Sequence, residues 1–507
     1  MRALTSAVSA SRSWLRRPEV LILSGLVIAV AVLYLSSTPA NPPGFHRDEA
    51  SISYNAFTLS QNLHDQDGAT MPLYFVSFGD YKSPLFVYLL AGVFRVTGPS
   101  AQIARELGAT VVFAAIALLG LIAYRRSRNI AIAVGAFLLA GLTPWFYELG
   151  RVAFETVMEP LALAVFLLLL DWGYRSRRPY LVRAIPVGLA LGAVTYVYAA
   201  GRLLAPLLAV ALLVFAGRGR WRWLIATWVT YGATLLPLAL YLHNHPGALT
   251  ARYQRTTFIQ SGMSVGTIAR KTTSNYVHDM NLWHWISAGD PRPYLHTSNG
   301  AGQLLAAVVV LASVGVAVVI TQRRSDLWWR YLLVAFVLAP IPAALTEDRY
   351  YSLRLLPIPL LLVVLAVPGL EALARLARDG WPARIALAVL AATVVVQLAQ
   401  FEHSYRHHGP GRTEFFEAGV PPLLARAFSG ARTVYVDYDD RYAQTHALWY
   451  AVSHGLPSTR VSILPDGGMP PVGSVVFGRF QACDFACAEL ARSYDYWIAR
   501  VTGPKPA

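Results

Sequence analysis

Two adjacent carboxylates, Asp48 and Glu49, stand in "GFHRDEASISYNA" (44–56), and a lysine, Lys82, follows in "YKSPLFVYL". A carboxylate beside a hydroxyl can serve as a general base, and a like-charged neighbour tunes its pKa. An ammonium is a point charge suited to a phosphate. Lys82 is unusual in this chain: of 43 basic side chains, all but Lys82, Lys271 and Lys505 are arginine. Each residue also has a plainer reading. Asp48 stands where an N-cap belongs and Glu49 falls in the first turn of "EASISYNAFTLSQNL", where acids complement the helix dipole. A loop lysine can simply be solvated. Local sequence leaves both readings open.

Other charges sit at the ends of apolar runs. Arg105, Arg151, Arg202 and Arg354 could face an anion, or could snorkel toward lipid phosphates. Glu155 and Glu159 open one apolar run four residues apart, hence on one face. Glu155 is the candidate second acid; Glu159 reads better as a buried acid paired with arginine. His278, His284 and His296 share a polar loop without tight ligand spacing, so no metal site is assigned and metal dependence stays open. Charges near membrane depth are costly. Several cations gathered with paired carboxylates on one face therefore point toward a site.

The elements that must position them are membrane helices. The 507 residues are 55% hydrophobic and only 14% charged, which implies many membrane spans. The formal net charge of +15 lies in short arginine clusters between apolar runs, a pattern of membrane topology and not of nucleic-acid binding. Eleven apolar runs between residues 20 and 400 are expected as spans. "YRRSRN", "YRSRRP", "GRGRWR", "TQRRSD" and "RLARDGWPAR" occupy every second connection. The positive-inside rule puts these in the cytoplasm, with the basic amino terminus on the same side. The first run is read as an uncleaved helix, since no convincing small-residue cleavage site precedes "SSTPANPPGF".

The expected organisation is a multi-spanning module, 1–402, with two large external loops, 38–101 and 243–302, and a small external α/β domain, 403–507. Helix Pro84–Val96, begun by proline, is expected to lie at the interface, as is the amphipathic helix after Glu49. In the tail, "ARTVYVDYDD", "STRVSIL" and "GSVVFGRF" read as strands, while "YAQTHALWYAVSHG" and "CAELARSYDYW" read as helices. Cys483 and Cys487 could be a disulfide across a very small loop or two free thiols.

This order of elements resembles the GT-C fold, the multi-spanning glycosyltransferases that use lipid-carried sugars. Within it the chain is similar to the protein O-mannosyltransferase and aminoarabinose-transferase group (family 39/83). "RDEASISYNA" matches the Asp-Glu motif of the first external helix, "YKSPLFVYL" the K-P-P-L motif, and "AQIARELGATVVF" the arginine opening the second span. "YELGRVAFETVMEPL" matches the external Arg-plus-acid motif, and "TYVYAAGRLLAPLL" and "TEDRYYSLRLLPIPLLLVV" match later stretches. The resemblance covers roughly residues 10–400. Ser83 replaces the first proline after the lysine, and Glu155 stands where an aspartate is usual.

The resemblance implies a polyprenyl-phosphate-linked sugar as donor and a hydroxyl acceptor on a glycolipid, polysaccharide or protein, at the outer face of the plasma (inner) membrane. It implies Asp48 as general base with Glu49 as its partner, and Lys82, Arg105, Arg151, Arg202 and Arg354 as contacts for the phosphate. A flippase would carry its charges in mid-span, with internal repeats. A ligase using a diphosphate-linked donor would want an external acidic metal-binding set. Neither pattern is evident in the sequence.

Overall fold

The computed structural model describes residues 18–36, 41–248, 250–291, 296–298, 301–465, 468–480 and 485–504. The basic amino-terminal stretch and Cys483 lie outside the described residues; Cys487 is disulfide-bonded. Among the described residues seven helices are long and apolar enough to cross a membrane: Ala101–Ser127, Glu155–Arg175, Tyr180–Val197, Trp221–Asn244, Leu327–Ala344, Pro357–Asp379 and Trp381–Thr413. The chain is a multi-pass membrane protein. Shorter apolar helices, Ser24–Leu35, Ile130–Gly141, Gly201–Phe215 and Ala306–Gln322, occupy the other four expected runs. The helix that starts at Ile130 ends at Gly141 because Pro144 lacks an N–H to continue the ladder and instead opens the separate helix Pro144–Leu149.

Pro357–Asp379 is the central helix, buried at every position from Pro357 to Gly369. It crosses Ala306–Gln322 backbone to backbone. A Cβ on Gly369 would lie 2.1 Å from the Leu311 carbonyl oxygen, and one on Gly315 1.8 Å from that of Leu365. Small residues permit such a crossing inside a membrane, where helices gain from close packing and not from leaving water.

The segment 41–101 supplies the platform for the candidate site. Helix α1 (Pro18–Leu35) leads to α2 (Arg47–Asn62), a hairpin of β1 (Phe75–Ser77) and β2 (Asp80–Lys82), then α3 (Pro84–Thr97) and α4 (Ala101–Ser127). The hairpin turns on Phe78 and Gly79, both at positive φ, the geometry that matches the twist of two paired strands. Helix α2 starts earlier than its sequence suggested. His46 is the N-cap, Asp48 lies inside the first turn, and the Glu49 side chain reaches back to the His46 N–H at 3.0 Å. This reciprocal capping satisfies two otherwise orphaned backbone donors.

The tail forms a five-stranded sheet with helices against it. In chain order come α5 (Val420–Gly430), β3 (Val434–Val436), α6 (Arg441–Ser453), β4 (Val461–Ile463), β5 (Val475–Arg479), β6 (Ala486–Ser493) and β7 (Tyr496–Gly503). The strand order is β4-β3-β5-β7-β6, with β3 parallel to β4 and β5, and β7 antiparallel to β5 and β6. "CAELARSYDYW", expected as a helix, is instead β6, a tight turn and the start of β7. Its helix-favouring alanines and glutamate are overridden by pairing along a strand whose partner, β7, is buried against the core.

The domain does not stand apart from the membrane module. Helix α6 packs across α2, with Trp449 stacked on Phe45 at 5.5 Å and on Phe94 at 6.0 Å. The apolar side of α2 is therefore covered by protein, on one flank by α3 and on the other by α6. Gly44, at φ 81°, lets the chain pass where a Cβ would meet the Phe416 carbonyl oxygen at 2.3 Å.

Candidate active site

Asp48, in the first turn of α2, and Lys82, at the end of β2, meet across the segment 41–101. The Lys82 ammonium lies 3.0 Å from an Asp48 carboxylate oxygen, with Lys82 buried and Asp48 one-third open. Two devices fix the geometry. The Asp48 N–H donates to His46 Nδ1 at 3.1 Å, pinning the first turn of α2. Lys82 ends β2, directly before the Ser83-Pro84 start of α3, which sets its reach. Burial by itself would raise the Asp48 carboxyl; the charge and hydrogen bond of Lys82, together with His46 and Arg252, outweigh it and hold Asp48 well below the usual carboxylate range. Burial would lower the Lys82 ammonium, but Asp48 and then Glu155 hold it above its ordinary value.

Around the pair opens a cavity of about 420 Å³, lined by Arg47, Asp48, Asp80, Lys82, Arg252, Arg255, Glu347, Asp348 and Arg354 among others. Five cations face four carboxylates. Arg252, from the helix Thr250–Thr256, pairs with Asp80 on the hairpin; Arg354 contacts Asp348 at 3.3 Å and Thr346 at 2.8 Å. Burial would raise Asp80 too, yet Arg252 and Lys82 bring it below its ordinary value. Arg255 donates to the Gly79 carbonyl at the hairpin turn. The cavity thus gathers the hairpin, the loop helix around Arg252 and the segment leading into the central helix.

Four residues singled out in the sequence have other partners. Glu49 is fully buried. Arg105 grips both of its oxygens at 2.8 and 2.7 Å, and the Ala153 N–H donates to it at 2.9 Å. Arg105 also donates to the Pro42 carbonyl at 2.7 Å, so this bidentate pair fastens α2 to α4. The pair therefore stands behind the cavity wall and not in it. Arg151 donates to the Leu33 and Ser36 carbonyls at the end of α1 and to the Tyr147 hydroxyl. Its role in the geometry is to anchor α1. Arg202 lies with its guanidinium 4.7 Å from the Tyr74 ring centre, outside the cavity lining.

Arg354 does line the cavity. Glu155 is buried close enough to Lys82 and Arg252 to add to the field on both, without lining the cavity. Glu159 is fully buried, and both its oxygens lack a hydrogen-bond partner among the described residues; no arginine meets it, contrary to expectation. His278 lies against Arg349, His284 stacks on Tyr350 at 3.7 Å, and His296 contacts Asp290 at 3.0 Å. Among the described residues no three His, Cys, Asp or Glu side chains cluster as metal ligands would.

Sequence reasoning missed Arg47, Asp80, Arg252, Arg255 and Tyr442. Asp80 stood two residues before Lys82, on the same face of a short strand, which is the one local signal available. Tyr442 comes from the tail. Its ring stacks on Phe78 at 4.5 Å and lies 4.9 Å beneath the Arg47 guanidinium, so the tail domain forms part of the cavity wall.

No family model and no curated protein matches this sequence. Solved structures do match it in shape. ArnT from Cupriavidus metallidurans bound to undecaprenyl phosphate superposes with a TM-score of 0.57 at 11% identity, covering 96% of this chain and 99% of that one. The apo state of ArnT gives 0.56 at 12%, covering 98% and 100%. Identity this low speaks for the fold alone, and the fold is shown over nearly the whole length: this chain is built on the GT-C architecture of ArnT.

Proposed function

We propose that this protein is a membrane glycosyltransferase that moves a sugar from a polyprenyl-phosphate carrier to an acceptor hydroxyl on the extracytoplasmic side. The observation that carries the reading is the Asp48–Lys82 pair at the mouth of a cation-rich cavity, on a fold that in ArnT has been seen with undecaprenyl phosphate bound. The acceptor oxygen forms a bond to the anomeric carbon as its proton passes to Asp48. The bond from that carbon to the carrier phosphate oxygen breaks, and its electron pair leaves on the phosphate. A single displacement of this kind inverts the anomeric centre.

The cations answer the charge that develops on the leaving phosphate. Lys82, Arg252, Arg255 and Arg354 are the residues we assign to it, with Glu155 steadying Lys82 and Arg252 from behind. Glu49 and Arg105 hold the turn that carries Asp48. Topology by the positive-inside rule puts the amino terminus in the cytoplasm and the tail domain outside.

The direct test is Asp48→Asn beside Asp48→Glu in purified protein, assayed with polyprenyl-phosphate sugars. We expect Asp48→Asn to lose about 10²- to 10⁴-fold in turnover, the range of a general base, while remaining folded. Full transfer by Asp48→Asn removes the assignment.

A further inference from the structure

A second cavity, of about 190 Å³, adjoins the first at Arg47, and Asp48 does not line it. Arg47 lines both cavities, so a group held in the second lies one side chain away from the candidate base. Its far wall belongs to the tail domain: Glu414, Phe415, Arg479, Tyr494 and Asp495. Phe415 is 44% exposed and Tyr494 49% exposed, so two aromatic surfaces face an opening bordered by carboxylates.

The backbone here is shaped at a cost. Tyr494 sits in the two-residue turn between β6 and β7 at φ 50°, and Glu417, also on the wall, at φ 54°. Such turns favour glycine or asparagine at left-handed positions, and a bulky side chain there is strained. Tyr494 lines the cavity from this turn, and its hydroxyl is hydrogen-bonded with Thr413 Oγ1 at 2.8 Å. Gly419 completes the wall by a close approach, since a Cβ there would lie 1.7 Å from Ser493 Oγ.

We infer that this cavity holds a neutral saccharide unit of the acceptor, next to the hydroxyl that Asp48 deprotonates. The inference rests on the glycosyltransferase reading. A sugar ring offers an apolar C–H face, which packs on aromatic rings with their negative π-faces, and a rim of hydroxyls, which carboxylates and arginine bind. Two cations, Arg47 and Arg479, face three carboxylates, Glu414, Glu417 and Asp495. Arg47 is matched by Glu417 and Arg479 by Asp495, each at 3.3 Å. The remaining charge, on Glu414, turns the wall against uronic or phosphorylated sugars. The volume admits one ring.

The test uses the full-length protein in lipid nanodiscs and saturation-transfer NMR with mannotriose, cellotriose and anionic trigalacturonate. Wild type and Asp48→Asn should both give transfer to at least one neutral trisaccharide, and at least fivefold less to trigalacturonate. Tyr494→Gly removes the ring while relieving the left-handed backbone, so it should fold at least as well; it and Phe415→Ala should each weaken the signal fivefold or more. No transfer to either neutral sugar in wild type, or signals unchanged in both variants, overturns the subsite. A preference for trigalacturonate overturns the charge argument and with it the neutral class. Sugar binding without any transfer from polyprenyl-phosphate donors leaves the subsite standing and defeats the proposed function; transfer without sugar binding does the reverse.

Discussion

An aspartate paired with a lysine at 3.0 Å is a weak proton acceptor, because a general base works best with a pKa near the working pH. The phosphate of a donor resolves the conflict in the proposed mechanism. It competes for Lys82, and each share of charge it takes lets Asp48 rise toward the range where it can hold a proton. Lys82 thereby acts on both reactants. Its removal has a signed consequence. In Lys82→Met the largest opposing charge is gone and burial remains, so the Asp48 pKa goes up. The acid limb of the kcat/KM profile, which reports the free enzyme, should move to higher pH, and the donor KM should rise at least tenfold. A pH-rate series on wild type and Lys82→Met measures both. An acid limb that stays in place would separate Lys82 from the ionisation of Asp48.

At the scale of elements, the tail domain and α2 are joined through Glu417. One of its oxygens accepts from the Arg47 N–H at 2.7 Å and meets His446 Nε2 at 2.8 Å; the other accepts from the Tyr496 hydroxyl at 2.8 Å and the Arg47 guanidinium at 3.3 Å. Four contacts from α2, α6 and β7 thus converge on one buried carboxylate. Burial by itself would raise Glu417, but His446, His46 and Arg47 bring it down to about 2. A folded pKa below the unfolded one contributes stability above the unfolded value of about 4.5, and that contribution is lost as pH falls through the folded value. The drop is worth on the order of 3 kcal/mol. Hydrogen-exchange protection, taken relative to intrinsic exchange at each pH, should therefore fall at the start of α2 and along β7 in wild type between pH 4.5 and 2. Glu417→Gln, already without the charge, should show lower protection than wild type at pH 6 and change little more over that window. Identical profiles for the two proteins would show that docking does not depend on this ionisation.

Over the whole molecule, the features most legible in sequence were those encoded locally. Apolar runs and arginine clusters marked the membrane helices, and the unusual Lys82 with its following proline marked the start of α3. What stayed hidden depends on contacts across long separations. Arg252 meets Asp80 from 172 residues away, and Tyr442 reaches Phe78 from a different domain; no spacing rule relates them. Arginines were legible as residues at the ends of apolar runs but not by partner, so Arg105 and Arg151 looked equivalent to Arg354 until packing assigned them to Glu49 and to the α1 carbonyls. The helix crossing at Gly315 and Gly369 was hidden too, because a glycine in an apolar run looks alike whether it faces lipid or another backbone. That crossing supports a last expectation. The central helix begins just after Arg354, so forcing it away from Ala306–Gln322 should shift its first turn and with it the Arg354 segment that lines the cavity. Gly369→Val places branched carbons where the Leu311 carbonyl now lies 2.1 Å from a Cβ position. Overpacking of this kind costs about 1–3 kcal/mol, so thermal unfolding in detergent should move several degrees lower. Donor affinity should fall with it, although Gly369 lies in the far half of the helix from Arg354. The control is Gly135→Val, where a Cβ meets only the flexible tip of Leu370 at 3.5 Å, and it should do neither. Equal melting temperatures for the two variants would mean that the close crossing does not hold the central helix in place.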